Sequence, residues 1–406
     1  MSANDLNAMM PADLLEGLRV LDLTNVLSGP FCSYQLALLG AEVIKIENPD
    51  GGDLARQLGA EQKLNKQFMG ASFLAQNAGK KSLTLNLKHA EGAAIFKKLV
   101  TSADIVIENF RPGVMDRLGL GFEVCKATKD PIVYCAISGF GQQGPLKDNP
   151  AYDQIIQGMS GVMDITGSDN TPPYRVGYPI ADTVGGLTAA LAVSAALHQK
   201  TSQYIDVSML ESVLTTMGWA VSNLLMHQVE PTRVGNENMT SAPSGTFQTR
   251  DGLINIAANQ DRQWEQLVAV LHAPALKEDI RYQSREHRKA NRHALKADLE
   301  AILSRRSTDE WMTEFQAANI PAGPVLSVRE ALELEQIQMR GFTQKIQQDH
   351  PSGTIDVVTN GFLLNGERLK AESPVETLGE STTSILSELG YDSLRIDSLK
   401  NEGVIG

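Results

Sequence analysis

Cysteine is scarce in this 406-residue chain: Cys32, Cys125 and Cys135 are the three present. An odd number without a CxxC spacing supplies neither a disulfide framework nor a zinc-thiolate cluster. Sparse, unpatterned thiols suit a reducing compartment, so a cytoplasmic location is expected. Histidine is also thin. The seven, His89 to His350, show no HExxH or other ligand spacing, and no metal site is expected. Positive charge is in deficit, with 36 basic against 48 acidic residues and a formal net charge of -12. That argues against nucleic acid as a partner, because duplex binding rests on cationic neutralisation of phosphates. It leaves room for a phosphorylated small molecule held by a few local Lys or Arg. No run of about 18 apolar residues occurs, so no membrane-spanning helix is expected. The first residues, MSANDLNAMMPADLLEGL, lack the basic start and apolar core of a signal peptide.

What is present is an ordinary globular composition, 42% hydrophobic, in a chain long enough for two lobes. Strand and helix signals alternate. LRVLDLT (Leu18 to Thr24) reads as a strand, FCSYQLALLG (Phe31 to Gly40) as a helix and AEVIKIE (Ala41 to Glu47) as a second strand. The pattern continues with SLTLNL (Ser82 to Leu87), a helix over His89 to Val100, DIVIENF (Asp104 to Phe110) and IVYCAISGF (Ile132 to Phe140). Such alternation predicts an open parallel sheet of Rossmann type. IIQGMSGVMDITG then reads as a small-residue helix ending near Gly167, and TVGGLTAALAVSAALHQK as the longest apolar helix. Beyond about Asn223 the composition changes, and a second α+β segment follows.

A parallel sheet binds ligands at the carboxyl ends of its strands. Glu47 ends the second strand where a ribose-binding acid would sit in a dinucleotide fold. The first turn, NVLSGP, nevertheless has one Gly in place of GxGxxG, so the close approach to a pyrophosphate is missing. Asp182 lies in YPIADTVGGLTAA at the start of a helix, where the backbone stabilises an anion. Local sequence fits a helix N-cap better than a nucleophile exposed by a Gly-rich turn, but does not decide between them. ENFRPGVMDRLGL sets Asn109 and Phe110 at a strand end, with Arg111 and Arg117 after it. That group suits an adenosine phosphate, or is an ordinary surface turn.

Over nearly its whole length the chain resembles the class III coenzyme A-transferases, a family that includes formyl-CoA and carnitine CoA-transferases and the related α-methylacyl-CoA racemases. The resemblance is carried by LRVLDLTNVLSGPFCSYQLALLGAEVIKIENPDGGD, KKSLTLNLKHAEG, ADIVIENFRPGVMDRLGLG, ISGFGQQGP, PAYDQIIQGMSGVMDITG, VGYPIADTVGGLTAALAVSAALH, IDVSMLESVL and IPAGPVLSV. It implies a Rossmann-like large domain from residues 1–210 and a returning segment 335–406. A smaller α+β domain would span 225–330, in a ring-shaped chain that interlocks with a second copy as a homodimer. Coenzyme A and acyl-CoA enter as substrates, with no tightly bound cofactor. The activity implied is transfer of CoA from an acyl-CoA, such as succinyl-CoA, to a carboxylic acid.

The resemblance makes Asp182 the nucleophile, passing through a mixed anhydride and an aspartyl-CoA thioester. The backbone N–H groups around Gly185 and Gly186 are candidate oxyanion donors. CoA contacts would fall on Val26, Leu27, Ser28, Leu85, Lys88, Asn109, Phe110 and Arg117. Asn48 and Ser138 stand where formyl-CoA transferases carry basic residues, so Arg111 or Lys45 would take over at the adenosine end. The alternative activity is racemisation or epimerisation of an acyl-CoA. The racemase branch places a His where this chain has Tyr152, beside Asp153, and a phenol titrating near pH 10 is a poor base at neutral pH. Arg175, just before Asp182, is placed to pair a second carboxylate, which points to a dicarboxylate such as succinate.

Overall fold

Six short strands lead the architecture in the computed structural model, which describes residues 14–349 and 352–406. Most of the segment read above against a signal peptide lies outside the described residues. The strands are β1 (Arg19–Asp22), β2 (Glu42–Glu47), β3 (Lys80–Thr84), β4 (Ile105–Glu108), β5 (Val133–Ser138) and β6 (Gln203–Ser208). All neighbours pair parallel, in the order β3-β2-β1-β4-β5-β6. Alternate residues of each strand serve opposite faces. Leu21, Ile44 and Val106 join one apolar core, while Val20, Val43 and Ile105 join the other.

Helices cover both faces. On one side lies α2 (Ala90–Val100), whose Ile95 and Phe96 enter the first core. The other side holds α1 (Ser28–Leu38) and α5 (Ile180–Ala196), with α6 (Met209–Thr216) after β6. Between them in sequence come α3 (Val114–Arg117) and α4 (Asp153–Met159). The helix expected to reach Gly167 is α4, and it stops at Met159. Gly161 adopts φ +82°, a left-handed turn that ends the helix. The strand expected over Ser82 to Leu87 runs instead from Lys80 to Thr84, because its parallel partner β2 ends at Glu47 opposite Thr84. Residues 85–88 are thereby released from the sheet.

The chain divides into two compact units. One comprises residues up to Val162, Arg175–His227 and Gln338–Gly406; the other comprises Met163–Tyr174 and Gln228–Ile337. The stretch 163–174, expected within the large domain, groups with the second unit. That unit is built on an antiparallel sheet of β7 (Ser244–Gln248), β8 (Leu253–Ala257) and β9 (Ala322–Pro324). Helices α7 (Asp261–Val270), α8 (Arg292–Leu303) and α9 (Thr308–Ala317) pack on it through Trp264, Leu299, Trp311 and Phe315. The basic stretch RYQSREHRKANRH buries Arg288 over the Trp264 ring, and its guanidinium donates to Asp261.

The last segment returns to the first unit. It forms the antiparallel pair β10 (Thr343–Ile346) and β11 (Ile355–Val358), then α10 (Thr382–Glu388). Thr84 N–H donates to Thr382 Oγ1 at 3.1 Å, and Ser82 N–H donates to Glu376 at 2.6 Å. These contacts cover the outer edge of β3, which would otherwise expose unpaired backbone groups.

Candidate active site

Chain order in the sheet reverses between β1 and β4, and the crevice at their carboxyl ends is where such folds take ligands. Asn109, just after β4, ties the two ends together. Its side chain accepts the Asn25 N–H and donates to the Asn25 carbonyl, both at 2.8 Å. Val26 follows at φ +69°, a costly conformation for a β-branched residue. Its N–H donates to Asp53 Oδ1 at 2.8 Å, and Asp53 is itself paired with Lys45 at 3.0 Å. Lys45 Nζ also donates to the Thr24 carbonyl at 2.8 Å. The first turn is thus held from beneath by a buried ion pair and from the side by Asn109.

More charges lie under this turn. Asp22 accepts from Thr24, Ser33 and Lys80. Burial alone would raise its carboxyl, but Lys45 and Lys80 hold it far below the usual range. Burial lowers the Lys80 ammonium to about 8 despite Asp22. Glu47 grips Arg56 with two 2.7 Å bonds. The acid that would bind a ribose in a dinucleotide fold is therefore committed to a buried guanidinium.

Asp182 is the exception. Pro179 occupies the N-cap position and α5 begins at Ile180, so Asp182 lies in the first turn and is not the cap. Its carboxylate has no hydrogen bond or ion pair among the described residues. Burial and the nearby charge of Asp153 push its carboxyl up to about 7. The α5 N-terminus favours the anion, but not enough to cancel these effects. Asp153 is buried and accepts the Ala181 N–H at 2.8 Å, while Gln157 donates to its other oxygen at 2.7 Å.

Asp182 opens into a cleft of about 260 Å³ lined also by Val26, Leu27, Ser28, Asn109, Phe110 and Tyr152. Arg111 and Lys147 are the cations on its wall, and neither forms an ion pair among the described residues. A second cleft of about 360 Å³ shares Asn25 and Phe110 with the first. Its lining includes Asn48, Leu85, Leu87 and Lys88, the stretch released from β3.

Val26, Leu27, Ser28, Asn109, Phe110, Tyr152 and Asp182 thus converge on one cleft, and Leu85, Lys88 and Phe110 on its neighbour. Ser138 lines the first cleft and Asn48 the second. The other expected residues lie elsewhere. Gly185 and Gly186 are buried inside α5, where each N–H serves the carbonyl four residues back, so they are not oxyanion donors. Their smallness serves packing: a Cβ on Gly186 would lie 2.4 Å from the Ser28 carbonyl oxygen. Arg175 is exposed, donates to the Val176 carbonyl and does not line the cleft. Arg117 is exposed and lines neither cleft. Lys45 is buried against Asp53 and cannot reach an adenosine. Sequence reasoning overlooked Lys147, Asn149 and the Asp153–Gln157 contact; the spacing of four on α4 was the available signal for the last.

A doubly wound sheet with a partnerless carboxylate at its switch point defines an enzyme site, and comparison places it. The sequence profile of CoA-transferase family III matches residues 15–382, and the chain belongs to that family. It is 35% identical to the succinyl-CoA:glutarate CoA-transferase of Mus musculus, over 99% of this chain and 92% of that one. It is 40% identical to the acetyl-CoA:oxalate CoA-transferase of Acetobacter aceti, over 82% and 86% of the two chains. A CAIB/BAIF family protein from Brucella suis has a similar structure, with a TM-score of 0.80 at 33% identity. That match covers 92% of this chain and 98% of that one. The protein is a CoA-transferase that moves coenzyme A from an acyl-CoA to a carboxylic acid. No helix among the described residues is long and apolar enough to cross a membrane.

Proposed function

We propose that this transfer runs through Asp182. The observation that carries the reading is a half-buried carboxylate with no partner, facing a cleft at the β1/β4 switch point. An Asp182 oxygen attacks the donor thioester carbonyl; the C–S bond breaks, and CoA leaves as its thiolate. The thiolate then attacks the Asp182 carbonyl of the mixed anhydride, releasing the donor acid and leaving an aspartyl-CoA thioester. The acceptor carboxylate displaces CoA from that thioester. The returning thiolate attacks the acceptor's acyl carbon, which yields the new acyl-CoA and frees Asp182. Each step exchanges acyl bonds of similar energy, so the thioester is conserved.

CoA would lie across the two clefts that share Phe110, with Val26, Leu27 and Ser28 beside the thioester and Leu85 and Lys88 toward the nucleotide. The substrates are short dicarboxylic acids and their CoA thioesters, as the names of relatives acting on succinyl-CoA with glutarate or mesaconate suggest. Lys147 and Arg111, lining the cleft where Arg175 does not, suit the second carboxylate and the CoA phosphates. A homodimer is part of the reading. Leu187 and Leu191 on α5, with Trp219, Leu225 and Met226, leave apolar helix faces exposed that a second copy would cover. Three buried free thiols suit a cytoplasmic setting.

The test is intact mass after incubation with succinyl-CoA and trapping with hydroxylamine. A modification at Asp182 in the wild type, absent from Asp182→Ala, is expected. An unmodified wild-type protein that still exchanges CoA would overturn the aspartyl route.

A further inference from the structure

Asp153 is a second buried carboxylate without a cation. It is 8% exposed, and Gln157, one helical turn later on α4, is fully buried. Together they hold the backbone that leads into α5 at three points. Asp153 Oδ1 accepts the Ala181 N–H at 2.8 Å, Gln157 Oε1 accepts the Val176 N–H at 2.9 Å, and Gln157 Nε2 donates to the Tyr178 carbonyl at 3.3 Å. The same Nε2 donates to Asp153 Oδ2 at 2.7 Å, which locks the pair. Ala181 immediately precedes Asp182, so the held backbone sets the direction in which Asp182 leaves the helix.

The pair also fixes a charge. The Ala181 N–H and the Gln157 amide both donate to the Asp153 carboxylate, and burial keeps it out of water. Other ionisable groups lie on the elements packed against α5. They are Cys32 and Tyr34 on α1, Glu211 on α6, Tyr134 and Cys135 on β5, and Tyr204 and Asp206 on β6. Tyr152, Arg111 and Lys147 face the cleft. Among all of these, Asp153 is the group whose charge acts on Asp182.

We propose that Asp153 and Gln157 are a positioning pair that sets both the aim and the electrostatic surroundings of the Asp182 nucleophile. The inference rests on the reading of Asp182 given above. A cap that served folding alone would need the hydrogen bonds but not the charge. A charge held beside Asp182 makes the attacking carboxylate more basic, and a more basic carboxylate is the better nucleophile toward a thioester.

The experiment separates bond from charge. In Asp153→Asn the side-chain carbonyl still accepts from Ala181, but the new amide meets the Gln157 amide donor to donor. In the double variant Asp153→Asn with Gln157→Glu, donor and acceptor match again between the two side chains, the Tyr178 carbonyl loses its donor, and the charge sits one residue contact further away. The readout is kcat/KM for CoA exchange between succinyl-CoA and glutarate, from about pH 5 to about pH 9, beside thermal melts. The wild type is expected to lose activity as pH falls through about 7. In both variants the acid limb should move to lower pH by about half a unit or more, while the double variant recovers part of the melting temperature lost in the single one. A limb that coincides with the wild type's, in Asp153→Asn or, should that not fold, in the double variant, overturns the proposal. Exchange that persists in Asp182→Ala would instead overturn the nucleophile reading beneath it.

Discussion

Two sets of buried charges flank α1, and they are built on opposite terms. Beneath the first turn, at the ends of β1, β2 and β3, Asp22 meets Lys80, Lys45 meets Asp53 and Glu47 meets Arg56. On the other flank, at the start of α5, Asp153 and Asp182 have no cation. The paired set fixes backbone: it holds Val26 at its left-handed φ and locks the turn against the sheet. The unpaired set leaves Asp182 a carboxyl that burial and Asp153 push up to about 7. Within one fold, the neutralised buried charges hold structure, and the unneutralised pair is the one proposed here to serve chemistry.

The sharpest test of that contrast removes the proposed nucleophile. Asp182→Ala should lower transfer activity on the order of 10³-fold or more while leaving the melting temperature unchanged or higher, as steady-state rates and calorimetry would show. The same kind of deletion in the paired set should do the reverse. Arg56→Met leaves Glu47 buried and uncompensated, and should cost about 3–5 kcal/mol in chemical denaturation.

A pH series refines the comparison. The Asp182 carboxyl sits at about 7 in the fold against an ordinary 3.8. Between those values the unfolded chain ionises first, so the native state loses stability as pH rises through the window. Asp182→Asn escapes that loss. Its advantage should be absent near pH 4, grow with pH and level off above about 7 at about 2 kcal/mol. Glu108 offers a second version. Burial and the charge of Asp116 raise it to about 8, although it accepts the Phe110 N–H at 2.8 Å. Gln can accept the same bond, so Glu108→Gln should gain about 1 kcal/mol above pH 8 and nothing near pH 4. The smallest effect concerns the acceptor. Lys147→Ala should raise the KM for glutarate about 3- to 10-fold, and Arg175→Ala should leave it unchanged.

Much of the site could be read in the chain because its parts are local. Val26, Leu27 and Ser28 follow a strand, Asn109 and Phe110 follow another, and a parallel sheet brings strand ends together by rule. Asp182 stood out for its Gly-rich surroundings, yet its place relative to the helix did not. Pro179 moved the cap three residues upstream, and of the neighbouring Gly pair Gly185 turned out to serve the contact with α6 and Gly186 the contact with α1. Arg175 was nearer in sequence than Lys147, and sequence distance misled.

The sequence by itself determined the sheet and its class. Strand and helix periodicities are properties of neighbouring residues, and so is the run of motifs that marks the family. Only the tertiary structure decided which charges are answered. Lys80 reaches Asp22 across 58 residues and Asp53 holds Val26 across 27, while Asp153 caps Ala181 across 28 and brings Asp182 no cation. Burial and pairing are set by which side chains the fold carries into one low-dielectric space, and no local pattern encodes that meeting.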